Sequence, residues 1–296
     1  MNRGKCISPA HKGLLLAFDD SAASMRLAER ECGKRSRRTT LRLCLCAGIL
    51  FCLAAVAQGA YAQTAGLPNF DDTTTGWLLC SGACAGGHTP TQIIQRFNIP
   101  TPSLDGKSME LSISGDAGTN NGWYHNSGAQ DNLTTFTLDM YFNIPSKTYI
   151  QALEFDQYQY LLAGHGGVTS NTRLYFGTEC VTGGTWQIWD SSGIGWVNTG
   201  AACNYTASST AFNHLVIHVH RVTGDTSCAG GRPCMYYDSI TMNGTTAVSN
   251  RKTNSGALPA GWGEQTGLMI QLDTNSACGS ACTITEYVDK GNFTIN

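Results

Sequence analysis

Between Thr135 and Phe142 apolar and polar residues alternate without a break: Phe136, Leu138, Met140 and Phe142 against Thr135, Thr137, Asp139 and Tyr141. A period of two marks a strand with one face buried. The pattern returns at Leu215, Ile217 and Val219, which alternate with His214, His218 and His220, and at Leu153 and Phe155, which alternate with Glu154 and Asp156. Further strand-like runs are Ile93–Ile99, Met109–Ile113, Arg173–Thr178, Trp186–Trp189, Tyr236–Met242, Leu268–Leu272 and Thr283–Val288. Asn243-Gly244 after the fifth of these is a hairpin signal. No window carries a sustained helical period. Strands joined by turn-rich connections predict an all-β chain, a two-sheet antiparallel sandwich or jelly roll.

The first 62 residues stand apart. They carry 10 Lys and Arg against four acids, whereas residues 63–296 carry nine against 17. Lys34-Arg35-Ser36-Arg37-Arg38, the apolar run Leu41–Ala57 and Ala60-Tyr61-Ala62 have the order of a charged region, an apolar region and a cleavage site. Residues 1–62 are therefore expected to be a targeting segment cut after Ala62, with Met25 an alternative start. Residues 63–296 are expected to form a single domain, with no stable membrane span once the segment is removed. The rival reading is a retained anchor, since 17 residues approach the length needed to cross a bilayer. The expected location is secreted, periplasmic or cell surface. An acidic mature chain also argues against nucleic acid as a partner, because phosphate neutralisation needs clustered Lys and Arg.

Eight of the 13 Cys follow the leader. An even number in an exported chain reads as disulfides. Sequence proximity suggests Cys80–Cys84, Cys180–Cys203, Cys228–Cys234 and Cys278–Cys282. Zinc held by Cys80/Cys84 and Cys278/Cys282 is the competing reading. No bound metal or cofactor is expected.

Glu154 and Asp156 leave the same face of their strand, about 7 Å apart by strand rise. Such a pair can hold a proton, a cation or a sugar hydroxyl. The run Glu154-Phe-Asp156-Gln157-Tyr158-Gln159 resembles the active strand of the laminarinase/lichenase/agarase family of retaining glycoside hydrolases, which belongs to the concanavalin A-like lectin/glucanase group of jelly rolls. The family motif is Glu-x-Asp-x-x-Glu. The resemblance makes Glu154 the nucleophile and Asp156 the assisting Asp, and it implies a bulge that returns the last position to the same face. That position is Gln159, which cannot ionise and so cannot protonate a leaving group, although it can still hydrogen-bond a sugar. The closing stretch Tyr287–Asn296 is similar to the last strand of laminin-G-like and lectin-like domains.

Two other groups bear chemistry. His218-x-His220 on a strand can co-ligate a metal, with Glu154 or Asp156 as third ligand if the strands share a sheet, or can line a polar groove. Trp186-Gln-Ile-Trp189-Asp190 offers indole faces on which a sugar can stack. A separation of three puts Trp186 and Trp189 on opposite faces, one platform and one core. Trp123, Tyr124 and His125, in a Gly/Asn-rich stretch, would form a loop wall. The expected ligand site is thus Glu154, Asp156, Gln159, Trp186, His218, His220 and Trp123. The leading functional reading is a secreted carbohydrate-binding, lectin-like protein. The alternatives are a retaining endo-β-glycanase or related polysaccharide-cleaving enzyme, with Glu154 and Asp156 catalytic, and an exported structural or surface protein without a glycan site.

Overall fold

A computed structural model describes residues 65–82 and 86–296. The predicted leader, its cleavage site and Cys84 lie outside the described residues.

Among the described residues seventeen strands make two sheets. In chain order they are β1 (Ala65–Leu67), β2 (Trp77–Ser81), β3 (Gln92–Ile99), β4 (Ser108–Gly115), β5 (Asn120–Asn126), β6 (Thr135–Asn143), β7 (Ile150–Leu161), β8 (Thr172–Phe176), β9 (Thr178–Val181), β10 (Thr185–Asp190), β11 (Gly195–Ala202), β12 (Asn213–His220), β13 (Cys234–Met242), β14 (Thr245–Asn254), β15 (Gly256–Ala257), β16 (Gln265–Thr274) and β17 (Cys282–Ile295). The first sheet runs β14-β13-β12-β6-β17-β4-β3, with β1 added on β17. The second runs β11-β10-β9-β7-β16-β5-β2, with β8 on β7 and β15 on β8. Neighbouring strands are antiparallel throughout. The expected two-sheet antiparallel sandwich is what the chain forms.

The alternating runs supply the layer between the sheets. Phe136, Leu138, Met140 and Phe142 of β6 and Leu215, Ile217 and Val219 of β12 are buried against Leu153 and Phe155 of β7 and Leu268, Ile270 and Leu272 of β16. Asn243 and Gly244 take positive φ values of 51° and 77°, as a tight hairpin between β13 and β14 requires. Among the described residues the expected disulfides Cys180–Cys203, Cys228–Cys234 and Cys278–Cys282 are formed, and the fourth expected pair involves Cys84, outside those residues. The third replaces the zinc reading at that pair.

One inward network closes an end of the sandwich. Gln159 donates to the carbonyls of Gln130 and Leu133, and its own oxygen accepts from Nε of Arg221. Arg221 is 2% exposed and also donates to the carbonyls of Gly166 and Asp131. One guanidinium thus fastens the β5–β6 and β7–β8 loops to the core edge.

Phe155 lies at the centre of this layer, its ring 5.2 Å from that of Phe142 across the sheets. Phe155→Ala is expected to cost about 3–5 kcal/mol of unfolding free energy, read from a urea denaturation midpoint at constant slope. A loss below about 1 kcal/mol would mean that the ring is not packed between the sheets.

Candidate functional site

The second sheet's outward face is built by residues of one parity from seven strands. In register, Cys80 of β2 stands beside Gly122 of β5, then Gln271 of β16, Glu154 of β7, Glu179 of β9, Gln187 of β10 and Asn198 of β11. One pleat along, Leu78, Tyr124, Met269 and Asp156 form a second row, and Trp189 pairs with Trp196 at its far end. Tyr158 and Tyr175 pair in the next row, and Tyr160 and Arg173 in the one after. A polar, acidic band therefore runs beside an aromatic one.

These outward acids are nevertheless withdrawn from water. Glu154 is 6% exposed, Asp156 0%, Glu179 8% and Asp273 8%. The crowding of large side chains against them accounts for part of this: Tyr158 and Tyr160 are stacked 5.1 Å apart, and Tyr175 meets Trp189 edge to face at 6.1 Å. Desolvation, then the charges of Asp273, Asp156 and Glu179, push the Glu154 carboxyl well above its ordinary range. Desolvation also lifts Asp156 to about 8, Glu179 to about 7 and Asp273 to about 6. Like charges this close cannot all ionise in a poorly solvated site. Glu154 and Asp273 face the same amide, and each raises or is raised by the other's charge. Nε2 of Gln271 spans the pair, donating to Glu154 Oε1 at 2.7 Å and to Asp273 Oδ1 at 3.2 Å. Asp156 accepts from the Tyr175 hydroxyl at 2.5 Å and from the Thr178 amide at 3.1 Å. The result is a set of carboxyls able both to donate and to accept near neutral pH.

Of the residues expected at the site, Glu154 and Asp156 are here and the others are not. Gln159 lies on the inner face with Leu153 and Phe155, because β7 pairs with β16 in unbroken register from Tyr160 to Ala152 and has no bulge to reverse its parity. Trp186 and Trp123 are each 0% exposed and belong to the core. The outward indole of the pair is Trp189. The Trp123 stretch is strand β5, not a loop wall. His218 and His220 are on the outer face of the other sheet, so they share no ligand with Glu154. There His218 contacts Thr137 at 3.0 Å, while His220 stacks on Tyr236 at 4.7 Å and contacts Asp238 at 2.9 Å. Asp273, Gln271 and Glu179 were missed. Gln271 and Asp273 continue the alternation of Leu268, Ile270 and Leu272, which is the signal that would have found them.

No protein-family model matches the sequence, and no curated protein does. Solved structures share part of the chain trace. A sialidase superposes on 77% of this chain with a TM-score of 0.40 at 12% identity, and the chain spans 18% of that protein's length. An alginate lyase from Aplysia kurodai gives a TM-score of 0.48 at 8% identity, over 80% of this chain and 99% of the lyase. Peanut lectin gives 0.41 at 12% identity, over 80% of this chain and 98% of the lectin. Similarity at this level carries no argument about what this chain binds.

Two outcomes follow from the acid cluster and the inverted Gln159. A carboxyl with a higher pKa folded than unfolded binds its proton more tightly in the native state, so its contribution is full below the unfolded value and is lost as pH rises through the folded one. The folded values here run from about 6 to about 8. The urea midpoint is therefore expected to fall between pH 5 and pH 8, with a shallower slope in Glu154→Gln. A midpoint that is flat or rising over that range would mean that the acids are solvated. Gln159→Glu sets a carboxylate against two carbonyl oxygens, and it is expected to lose about 1–3 kcal/mol of stability with no hydrolytic activity gained. Sugar release by this variant would place residue 159 on the outward face after all.

Proposed function

We propose that the chain is an exported carbohydrate-binding protein whose glycan lies across the outward face of the second sheet. The observation that carries this reading is the acidic and amide band Gln271–Glu154–Glu179–Gln187 running beside Tyr124, Tyr175, Trp189 and Trp196. Sugars present apolar ring faces and hydroxyl edges, so they call for aromatic surface next to groups that donate and accept. Carboxyls that keep their protons near neutral pH do both. Trp189 and Tyr175 are the stacking residues, and Glu154, Asp273, Gln271 and Glu179 bind hydroxyls. Export, with removal of residues 1–62 from a domain spanning 63–296, is supported by three disulfides, which persist in oxidising compartments. Among the described residues no helix is long and apolar enough to cross a membrane.

A second reading has its own observation. Glu179 stands directly opposite Glu154 on the neighbouring strand. Cross-strand Cβ atoms are about 4.5–5.5 Å apart, and retaining glycosidases hold their two carboxyls at about 5–5.5 Å. In that case Glu179 would attack the anomeric carbon and Glu154, the carboxyl raised further, would protonate the leaving oxygen.

The test is a glycan array probed with purified protein, followed by titration of the best hit and an assay for new reducing ends. Binding is expected to weaken at least tenfold in Glu154→Ala and in Trp189→Ala, with far-UV circular dichroism unchanged, and no reducing ends should appear. Undiminished binding in both variants moves the ligand elsewhere. Turnover of order 1–10³ s⁻¹, abolished in Glu154→Gln, would replace the binding reading with the hydrolase.

A further inference from the structure

Three loops meet beyond the aromatic end of this face. Asp131 comes from the β5–β6 connection, His165 from β7–β8 and Glu264 from β15–β16. Each presents one ligand atom, and the three atoms lie within 4.8 Å of one another. His165 Nδ1 is 3.4 Å from Asp131 Oδ2 and 3.2 Å from Glu264 Oε1.

These lengths are informative. A single ring nitrogen carries at most one hydrogen, so it cannot donate well to both carboxylates. Charge-assisted N–H···O bonds close to about 2.7–2.9 Å. Of the three other His–carboxylate pairs among the described residues, two do so, at 2.7 Å for His214–Asp139 and 2.9 Å for His220–Asp238, and the exposed His88–Asp116 pair lies at 3.1 Å. The His165 contacts are longer. They match the ligand–ligand edge of a tetrahedral site, about 3.3–3.4 Å for metal–ligand bonds of 2.0–2.1 Å.

The ligands are also held in place from outside the cluster. Arg221 grips the backbone of Asp131 and of Gly166, next to His165. Glu264 Oε1 accepts from the amide of Leu162 at 3.1 Å, which ties its loop to the end of β7. Gly164, Gly166 and Gly167 take positive φ around His165, turning the ring toward the two acids.

We propose that Asp131, His165 and Glu264 bind a zinc-class divalent cation, leaving a fourth position open to water or ligand. One imidazole with two carboxylates suits a borderline metal better than calcium, which takes six to eight oxygens. The ion would pin the loop that carries Trp262, two residues before Glu264. The indole of Trp262 is 47% exposed and sits 5.3 Å from the Tyr160 ring, at the edge of the aromatic band. The site does not depend on the carbohydrate reading, since its donors lie off the acidic band.

The experiment uses the full chain with its disulfides intact and its leader thiols alkylated. Equilibrium dialysis against zinc is expected to give one ion per chain, and cobalt(II) is expected to give the absorption bands of a tetrahedral site. His165→Ala and Glu264→Gln should each weaken zinc at least tenfold. The second keeps an acceptor for the Leu162 amide, so the loop stays tied. His214→Ala, on the other sheet, should bind as wild type does. Metal-free thermal unfolding of each variant should match that of wild type, showing that the loss is not misfolding. No saturable zinc in wild type, full binding in either site variant, or calcium displacing zinc at equal concentration would overturn the proposal.

Discussion

Strand β7 cannot shift its pleat, and both faces of the second sheet follow from that. It is bonded on one side to β16 and on the other to β8 and β9, and all of its residues but Gln151 are buried. A one-residue slip would carry Glu154 and Asp156 between the sheets and put Leu153 and Phe155 outside. With the register locked by inter-sheet packing, the two acids must share the outward face with Glu179 and Asp273. Their raised pKa values follow first from burial on that face and then from this enforced proximity.

The two sheets treat the same residue types differently. On the first sheet, Asp139 and Asp238 each face a histidine, and all four side chains are partly exposed. Each acid there has a histidine ring nitrogen within hydrogen-bond distance and stays open to water. On the second sheet four carboxyls face one another with water largely excluded, and burial raises the pKa of each. A polar residue pointing outward is thus not a single class. Its chemistry is set by what stands one strand away.

Much of this was legible in the sequence and some was not. Period-two alternation identified β6, β7 and β12 and their inner faces, because apolar burial on one side leaves that trace directly, while β16 was visible only as a strand-like run. Local cysteine spacing identified three disulfides. Strand β5 was read as loop, since Asn120, Asn121 and Gly122 have low strand propensity; what holds it is pairing with β2 and β16, which leaves no local mark. His218 and His220 were correctly turned outward, but which sheet receives a strand is a long-range matter that periodicity does not encode. Gln159 is the instructive case. Plain counting from Leu153 and Phe155 puts it on their face, where it is found. The family pattern, with its bulge, pointed the other way. Pleat parity outweighed motif similarity here because β7 is central and doubly bonded.

The register of the acidic band has a metric consequence. Gln271, Glu154, Glu179, Gln187 and Asn198 are set one strand apart, so their spacing is the interstrand distance of about 4.7–4.9 Å and no side chain chooses it. Backbone hydrogen bonds graduate the surface as the marks graduate a ruler. Substitutions in the band can change what each mark reads but not where it falls. A polymer lying along it is compared, unit by unit, with a length written into the main chain.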